Sequence, residues 1–200
     1  RPWLSSYPPG VPANIDPDEF ASINDVARQA IDKYRDRMAY HSMGKEISYD
    51  ELDKRVDEFA SYLLNDLKLS KGDRVAIMMP NCLQQPIATF GVLRAGLIVV
   101  NVNPLYTARE LKHQLVDSGA TAIVVIDNFG HTLAEIISET PVKHVITSGL
   151  GDMLGGLKGG LVNFVVKHVK KMVPAYRIDG AIRFRDALST GSRNPAPEVT

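Results

Sequence analysis

The chain has 200 residues, 44% of them hydrophobic and 23% charged, with a formal net charge of zero. That is enough for one α/β domain, or one and part of another, with a sizeable core, so disorder is excluded away from the ends. Zero net charge argues against general nucleic-acid binding, a single cysteine (Cys82) excludes an intramolecular disulfide and a cysteine-rich metal site, and no apolar run approaches the ~20 residues of a spanning helix.

The chain opens "RPWLSSYPPGVP", which lacks the basic-then-apolar layout of a secretory signal; it starts without methionine and reads as trimmed. A lone cysteine fits a reducing compartment, so the expected location is cytoplasmic. Charge is uneven along the chain. Residues 14–66 carry thirteen acids against seven bases, whereas residues 153–178 carry Lys158, Lys167, Lys170, Lys171 and Arg177 with no acid.

Five prolines in the first seventeen residues predict an extended arm over residues 1–20, with Trp3, Leu4 and Tyr7 pinning it to the body. A helix is predicted from Ser22 to about Arg37, with Ile23, Val26, Ala27, Ala30, Ile31 and Tyr34 at helical spacing. "MAYHS" and "KEISY" flank a Gly-Lys turn and predict a short antiparallel hairpin. Ser48 and Glu51 form a capping-box pattern that opens a helix to about Asp66, burying Leu52, Val56, Phe59, Ala60, Leu63 and Leu64.

An α/β repeat follows. Strands over 74–79, 97–102, 121–126 and 142–147 alternate with helices over 83–95, 107–117 and 131–139. This alternation predicts a mostly parallel sheet flanked by helices, with ligands bound beyond the carboxyl ends of its strands. The expected organisation is an arm over 1–20 and an α/β subdomain over 21–148. A glycine-rich loop, basic helix and return to the domain fill 149–188, and 189–200 forms a linker leading onward.

The chemistry-bearing candidates divide unevenly. "GLGDMLGG" from Gly149 follows a strand as a dinucleotide loop would, but its third glycine is out of register and no acidic strand end follows about twenty residues later, so a flexible loop is expected. Asp127 ends a strand where a phospho-accepting aspartate sits in receiver domains, yet the preceding "PNC" corner offers no acid. A cap or turn role is expected instead. The histidines at 41, 113, 131, 144 and 168 show no metal-ligand spacing, and Cys82 has no adjacent base, which makes it a packing residue.

Residues 161–173 form a basic amphipathic helix. Leu161, Val162, Val165, Val166, Val169, Met172 and Val173 share one side; Asn163, Lys167, Lys170 and Lys171 take the other. Two readings stand: the helix covers the domain's own sheet, or it lies on an anionic membrane.

At "VVNVNPLYTARELKHQL", Pro104 ends a strand and Thr107 with Glu110 caps the next helix. Asn103 offers an amide, Tyr106 a phenol, and the helix start free N–H groups that favour anions.

"GDRVAIMMPNCLQQPIATFGVLRAG" (72–96) and "NVNPLYTARELKHQLVDSGATAIVV" (101–125) resemble the N-terminal part of adenylate-forming enzymes. "NVNPLYTARELKHQLVDSGA", "WLSSYPPGVPANID" and "NFVVKHVKKMVPAY" (163–176) are most similar to bacterial long-chain fatty-acid–CoA ligases. The resemblance covers essentially all 200 residues. It implies a ligase that uses long-chain fatty acid, ATP, CoA and Mg²⁺ through an acyl-adenylate. It also implies that the phosphate loop, the magnesium-associated glutamate and the adenylation lysine lie beyond Thr200, leaving this stretch inactive alone. Asn103 and Tyr106 are then expected on the side from which CoA approaches, and no catalytic or metal-binding residue is carried over. The alternatives are a stand-alone α/β nucleotide- or phosphate-binding module and a membrane-docking domain whose contact is made by Lys167, Lys170 and Lys171. A homodimer is left open by the sequence.

Overall fold

A computed structural model describes residues 1–195. Helix α1 (Ile23–Tyr34) begins at Ser22, whose hydroxyl accepts the Asp25 N–H, and stops short of the expected Arg37. Strands β1 (Met38–Ser42) and β2 (Lys45–Ser48) pair antiparallel. Their turn is Met43-Gly44 rather than Gly-Lys. Both residues have positive φ (50° and 73°), the mirror-image turn that matches strand twist.

Helix α2 (Tyr49–Ser61) is capped by Ser48 and ends in a π turn, Tyr62–Asp66. Only half of its capping box forms, because the Glu51 carboxylate pairs with Lys45 at 3.6 Å.

The α/β repeat is as expected to within a few residues: β3 (Arg74–Met78), α3 (Gln84–Arg94), β4 (Ile98–Asn101), α4 (Ala108–Ser118), β5 (Ala122–Ile126), α5 (Gly130–Ile136) and β6 (His144–Ser148). After α6 (Gly156–Phe164) come a two-residue strand β7 (Ile182–Arg183) and a helix, α7 (Phe184–Gly191). The sheet is parallel in the order β4-β3-β5-β6-β7.

Side-chain alternation in the central strands feeds two cores. Val75, Ile77, Val124 and Ile126 face α2, α3 and α7, where Phe59 and Phe184 meet with ring centroids 5.0 Å apart. Ala76, Met78, Ile123 and Val125 face α4 and α5 with Leu111, Leu115 and Leu133.

Three expectations about the periphery fail. The arm starts as a 3₁₀ turn (Pro2–Ser6), where proline suits the first helical position, and Trp3 and Tyr7 stay largely exposed rather than pinned. The stripe on α1 is buried only at Ile31, while Ile23 and Val26 are exposed. The linker expected from 189 starts later, because α7 carries Ser189–Gly191 against α2; residues 196–200 of that linker lie outside the described residues.

Candidate functional site

Two groups of residues occupy the carboxyl edge of the sheet. The first is the corner after β4. Asn103 is exposed, and its side-chain oxygen accepts the Leu105 N–H at 3.0 Å, closing the turn that Pro104 begins. Tyr106 is half-buried against the core shared with α4 and α5. The two predicted residues therefore sit together, one open to solvent and one anchoring the turn.

The helix start beside them is not the anion cradle expected. Thr107 Oγ1 accepts the Glu110 N–H, and the Glu110 carboxylate accepts the Thr107 N–H at 2.8 Å and its hydroxyl at 2.7 Å. Those bonds hold Glu110 below the usual carboxylate range. A fixed negative charge thus occupies the positive end of the helix dipole, where a phosphate would have to sit.

The second group lies at the ends of β5, β6 and β7. Arg183 makes a forked pair with Asp127 (2.7 and 3.0 Å) and also reaches Asp152 (3.1 Å) and Thr147 (3.0 Å). Tyr176 donates its hydroxyl to Asp127 at 2.8 Å, and burial beside that carboxylate pushes the phenol well up. The Tyr176 ring packs on Gly130, where any Cβ would lie 2.3 Å from it. Asp127 is therefore a structural anion. It opens the 3₁₀ turn Asp127–Phe129, in keeping with the turn role expected, and spends both side-chain oxygens on Tyr176 and Arg183.

The glycine-rich stretch is built, contrary to the flexible loop expected. Gly149 N–H binds Asp152 at 2.8 Å, Gly151 N–H binds Asn163 at 2.7 Å, and Asn163 donates back to Asp152 at 2.8 Å. Gly151 and Gly159 bring two backbones together, since a Cβ on either would stand 2.4 Å from the other's carbonyl oxygen. Gln84, at the start of α3, donates to Gly149 O at 2.8 Å and Ser148 Oγ at 3.2 Å, joining the β3 and β6 corners.

Sequence reasoning missed Arg183, Tyr176, Asp152 and Asn163. Asp127 stood out only because it ends a strand, and nothing local ties it to Arg183, 56 positions on.

The basic helix starts at Gly156, ahead of the expected 161, and ends in a π turn at Val169. It meets the body through Gly159, Asn163 and Val162, the last packed against the larger core, while Leu157 and Leu161 are 95% and 64% exposed. One side of the helix, with Val162, Val165 and Val166 half-buried, thus lies on the body while Lys167, Lys170 and Lys171 face solvent, and the exposed leucines form a second, open face. Cys82 is buried and its thiol is pushed up by that burial, as suits a packing residue. Among the described residues no helix is long and apolar enough to cross a membrane.

Comparison with known proteins gives this fold a family. The model for AMP-binding enzymes matches residues 26–184. The chain is 53% identical, over 96% of its length, to a long-chain-fatty-acid–CoA ligase of Escherichia coli O157:H7. It is 36% identical, over 77% of its length, to the ligase of that name from Bacillus subtilis strain 168. It spans about a third of the first of these relatives, 34%, and 27% of the second.

Among solved structures, an anthranilate CoA ligase, AuaEII, in complex with anthranoyl-AMP superposes with a TM-score of 0.69 at 15% identity, covering 90% of this chain and 30% of that one. A putative long-chain-fatty-acid CoA ligase from Rhodopseudomonas palustris CGA009 gives 0.64 at 21% identity, over 84% and 36%. These two likenesses speak for the fold. With the family model spanning the parallel sheet from α1 to the start of α7, the chain belongs to the AMP-binding enzyme family and is homologous to the N-terminal part of long-chain fatty-acid–CoA ligases.

Proposed function

We propose that this chain is the N-terminal subdomain of an ATP-dependent long-chain fatty-acid–CoA ligase in the cytoplasm. The observation that carries the reading is the 53% identity over 96% of the chain to ligases of that name. In the whole enzyme the fatty-acid carboxylate attacks the α-phosphate of ATP, releasing pyrophosphate and forming an acyl-adenylate. The CoA thiol then displaces AMP.

This subdomain's part is to present a rigid wall, because a parallel sheet buried on both faces leaves little freedom at its strand ends. ATP and Mg²⁺ do not fit the corners it contains. Glu110 occupies the α4 start, and Asp127 and Asp152 are held by Arg183. Their sites belong to the polypeptide that follows, and the subdomain alone is expected to be inactive.

The test is to assay the full-length protein with palmitate, ATP and CoA beside the isolated 200 residues. Acyl-CoA should form only with the former. An isolated chain that binds ATP tighter than about 10 μM, about 7 kcal/mol, would instead favour a stand-alone binding module.

The Asn103–Tyr106 corner is proposed to face CoA, through its amide-bearing arm rather than its phosphates. Leu105 and the Asn103 amide are open to solvent there, while Glu110 would repel phosphate. Asn103→Ala with Tyr106→Ala in the full-length enzyme is expected to slow thioester formation about 10-fold or more and to leave fatty-acid-dependent pyrophosphate exchange nearly unchanged. Equal losses in both steps count against the assignment.

A second reading is favoured by the uncovered face of α6. Exposed Leu157, Leu161 and Phe164 beside Lys167, Lys170 and Lys171 suit peripheral contact with an anionic membrane. Changing the three lysines to glutamate should abolish flotation with phosphatidylglycerol vesicles. Unchanged flotation rejects this contact. The assembly we propose is a homodimer.

A further inference from the structure

Asp127, Thr147 and Arg183, at the ends of β5, β6 and β7, form one wall of a cavity of about 530 Å³, within the size range of ligand pockets. The facing wall is the end of the basic helix and the chain that follows it, from Lys167 to Ala181.

That second wall is held in place. Lys171 has a positive φ (52°), which ends the helix and turns the chain back over the strand ends. Asn128 donates to the Met172 carbonyl at 3.0 Å, and Tyr176 is fixed by Asp127 and by its contact with Gly130. The cavity is therefore preformed, which spares a ligand the cost of ordering it.

Its chemistry is cationic: Lys167, His168, Arg177 and Arg183 all line it. Lys167 has no hydrogen bond or ion pair among the described residues. Arg177 pairs with Asp179, but at 87% and 82% exposure that contact is worth little in water. Arg183 spends its terminal nitrogens on Asp127, Asp152 and Thr147, while its Nε–H meets no acceptor among the described residues. Each carboxylate nearby is thus taken by an arginine, and Lys167 is left to attract an anion.

The cavity is also continuous with the open face of α6. Leu157, Leu161 and Phe164 follow at helical spacing and are exposed, and Phe164 stacks on His168 with ring centroids 5.1 Å apart. Val173 and Ile178 add apolar lining beside the cations. A molecule carrying both a phosphate and a hydrocarbon tail matches the two surfaces together.

We propose that this cavity binds the phosphate of an anionic phospholipid, with Lys167 and Arg177 on the phosphate and the tails lying along Phe164 and Leu161. The headgroup it selects lacks an amine, as in phosphatidylglycerol. An ammonium would meet Lys167 and Arg177, and the carboxylates that could receive it are already paired. The inference rests on the membrane reading and names the lipid selected; it is independent of the ligase reading, which acyl-CoA formation tests.

The experiment is flotation of the full-length protein with phosphatidylcholine vesicles that carry phosphatidylglycerol or phosphatidylserine at the same mole fraction. Attraction to surface charge alone treats the two lipids alike, whereas the cavity is expected to favour phosphatidylglycerol about 5-fold or more. Lys167→Gln with Arg177→Gln should abolish that preference. Lys170→Gln with Lys171→Gln removes two charges outside the cavity lining, so it should weaken binding to both lipids about 10-fold or more and keep the preference.

Equal binding of the wild type to both lipids overturns the headgroup site and leaves the membrane reading standing. A preference that survives Lys167→Gln with Arg177→Gln, or that both pairs reduce alike, overturns it too. A wild type that floats with neither lipid removes the membrane reading and this site with it. Inorganic phosphate is also titrated into the protein without vesicles, at an ionic strength matched with chloride. Saturable binding that the Lys167 and Arg177 pair abolishes, without a lipid preference, would give the cavity to a soluble phosphate instead and reject the lipid.

Discussion

Replacing Gly191 with alanine is expected to cost about 3 kcal/mol or more of folding stability, at the upper end of overpacking changes. A Cβ there would stand 1.8 Å from the Glu58 carbonyl oxygen, 2.9 Å from its carbon and 3.0 Å from the Tyr62 nitrogen. All three are backbone atoms, so no rotamer change relieves the clash and α7 must lift from α2. Lifting it also separates Phe184 from Phe59, both fully buried, and opens space in the larger core. The measurement is urea unfolding, where the midpoint should fall by roughly 1–2 M. Gly160→Ala is the control. It lies inside α6 with nothing within 4 Å of its added Cβ, so alanine there should be neutral or slightly stabilising. Equal midpoints for the two variants would mean that α7 does not need this close approach.

The second large effect is expected at Arg183. Replacing it with methionine keeps the stem but leaves Asp127 and Asp152 near one another without their shared cation. Removing one partner of a buried pair costs about 3–5 kcal/mol. The guanidinium side chain here is 42% exposed, although Asp152 is only 6% exposed, so water screens part of the change. About 2–3 kcal/mol is the expected loss. Arg183→Lys should fall between, since an ammonium keeps the charge but cannot make the forked contact with Asp127. Adding Asp127→Asn to Arg183→Met should recover much of the stability, because it removes one of the two stranded charges. Should the double variant prove no more stable than Arg183→Met, electrostatics is not what this cluster contributes.

The two predictions sit at different depths in the sequence. Phe59 and its neighbours on α2 are readable as a helical stripe, because side chains three and four positions apart share one face. The Thr107–Glu110 cap is readable for the same reason: its partners are three residues apart. Gly191 is not. It falls in a stretch rich in serine and glycine that reads as a linker, and its role appears only when α7 lies across α2. The glycines at 149, 151 and 159 mislead in the same way. Their spacing suggests mobility, but Asn163 and the facing glycine backbone occupy the space that side chains would have filled.

By itself the sequence determined the α/β class, the alternation of strand and helix, the hairpin, the caps and the family. All but the family follow from periodicity, proline and glycine placement, and short-range pairings within a few residues; the family rests on the resemblance of whole stretches to known enzymes. Only the tertiary structure decided the strand order β4-β3-β5-β6-β7, and with it which strand ends become neighbours. That order brings Asp127, Asp152 and Arg183 together and leaves one face of α6 and the groove beside α1 uncovered. Contacts between segments tens of residues apart depend on how the sheet is assembled, and no local pattern of side chains encodes them.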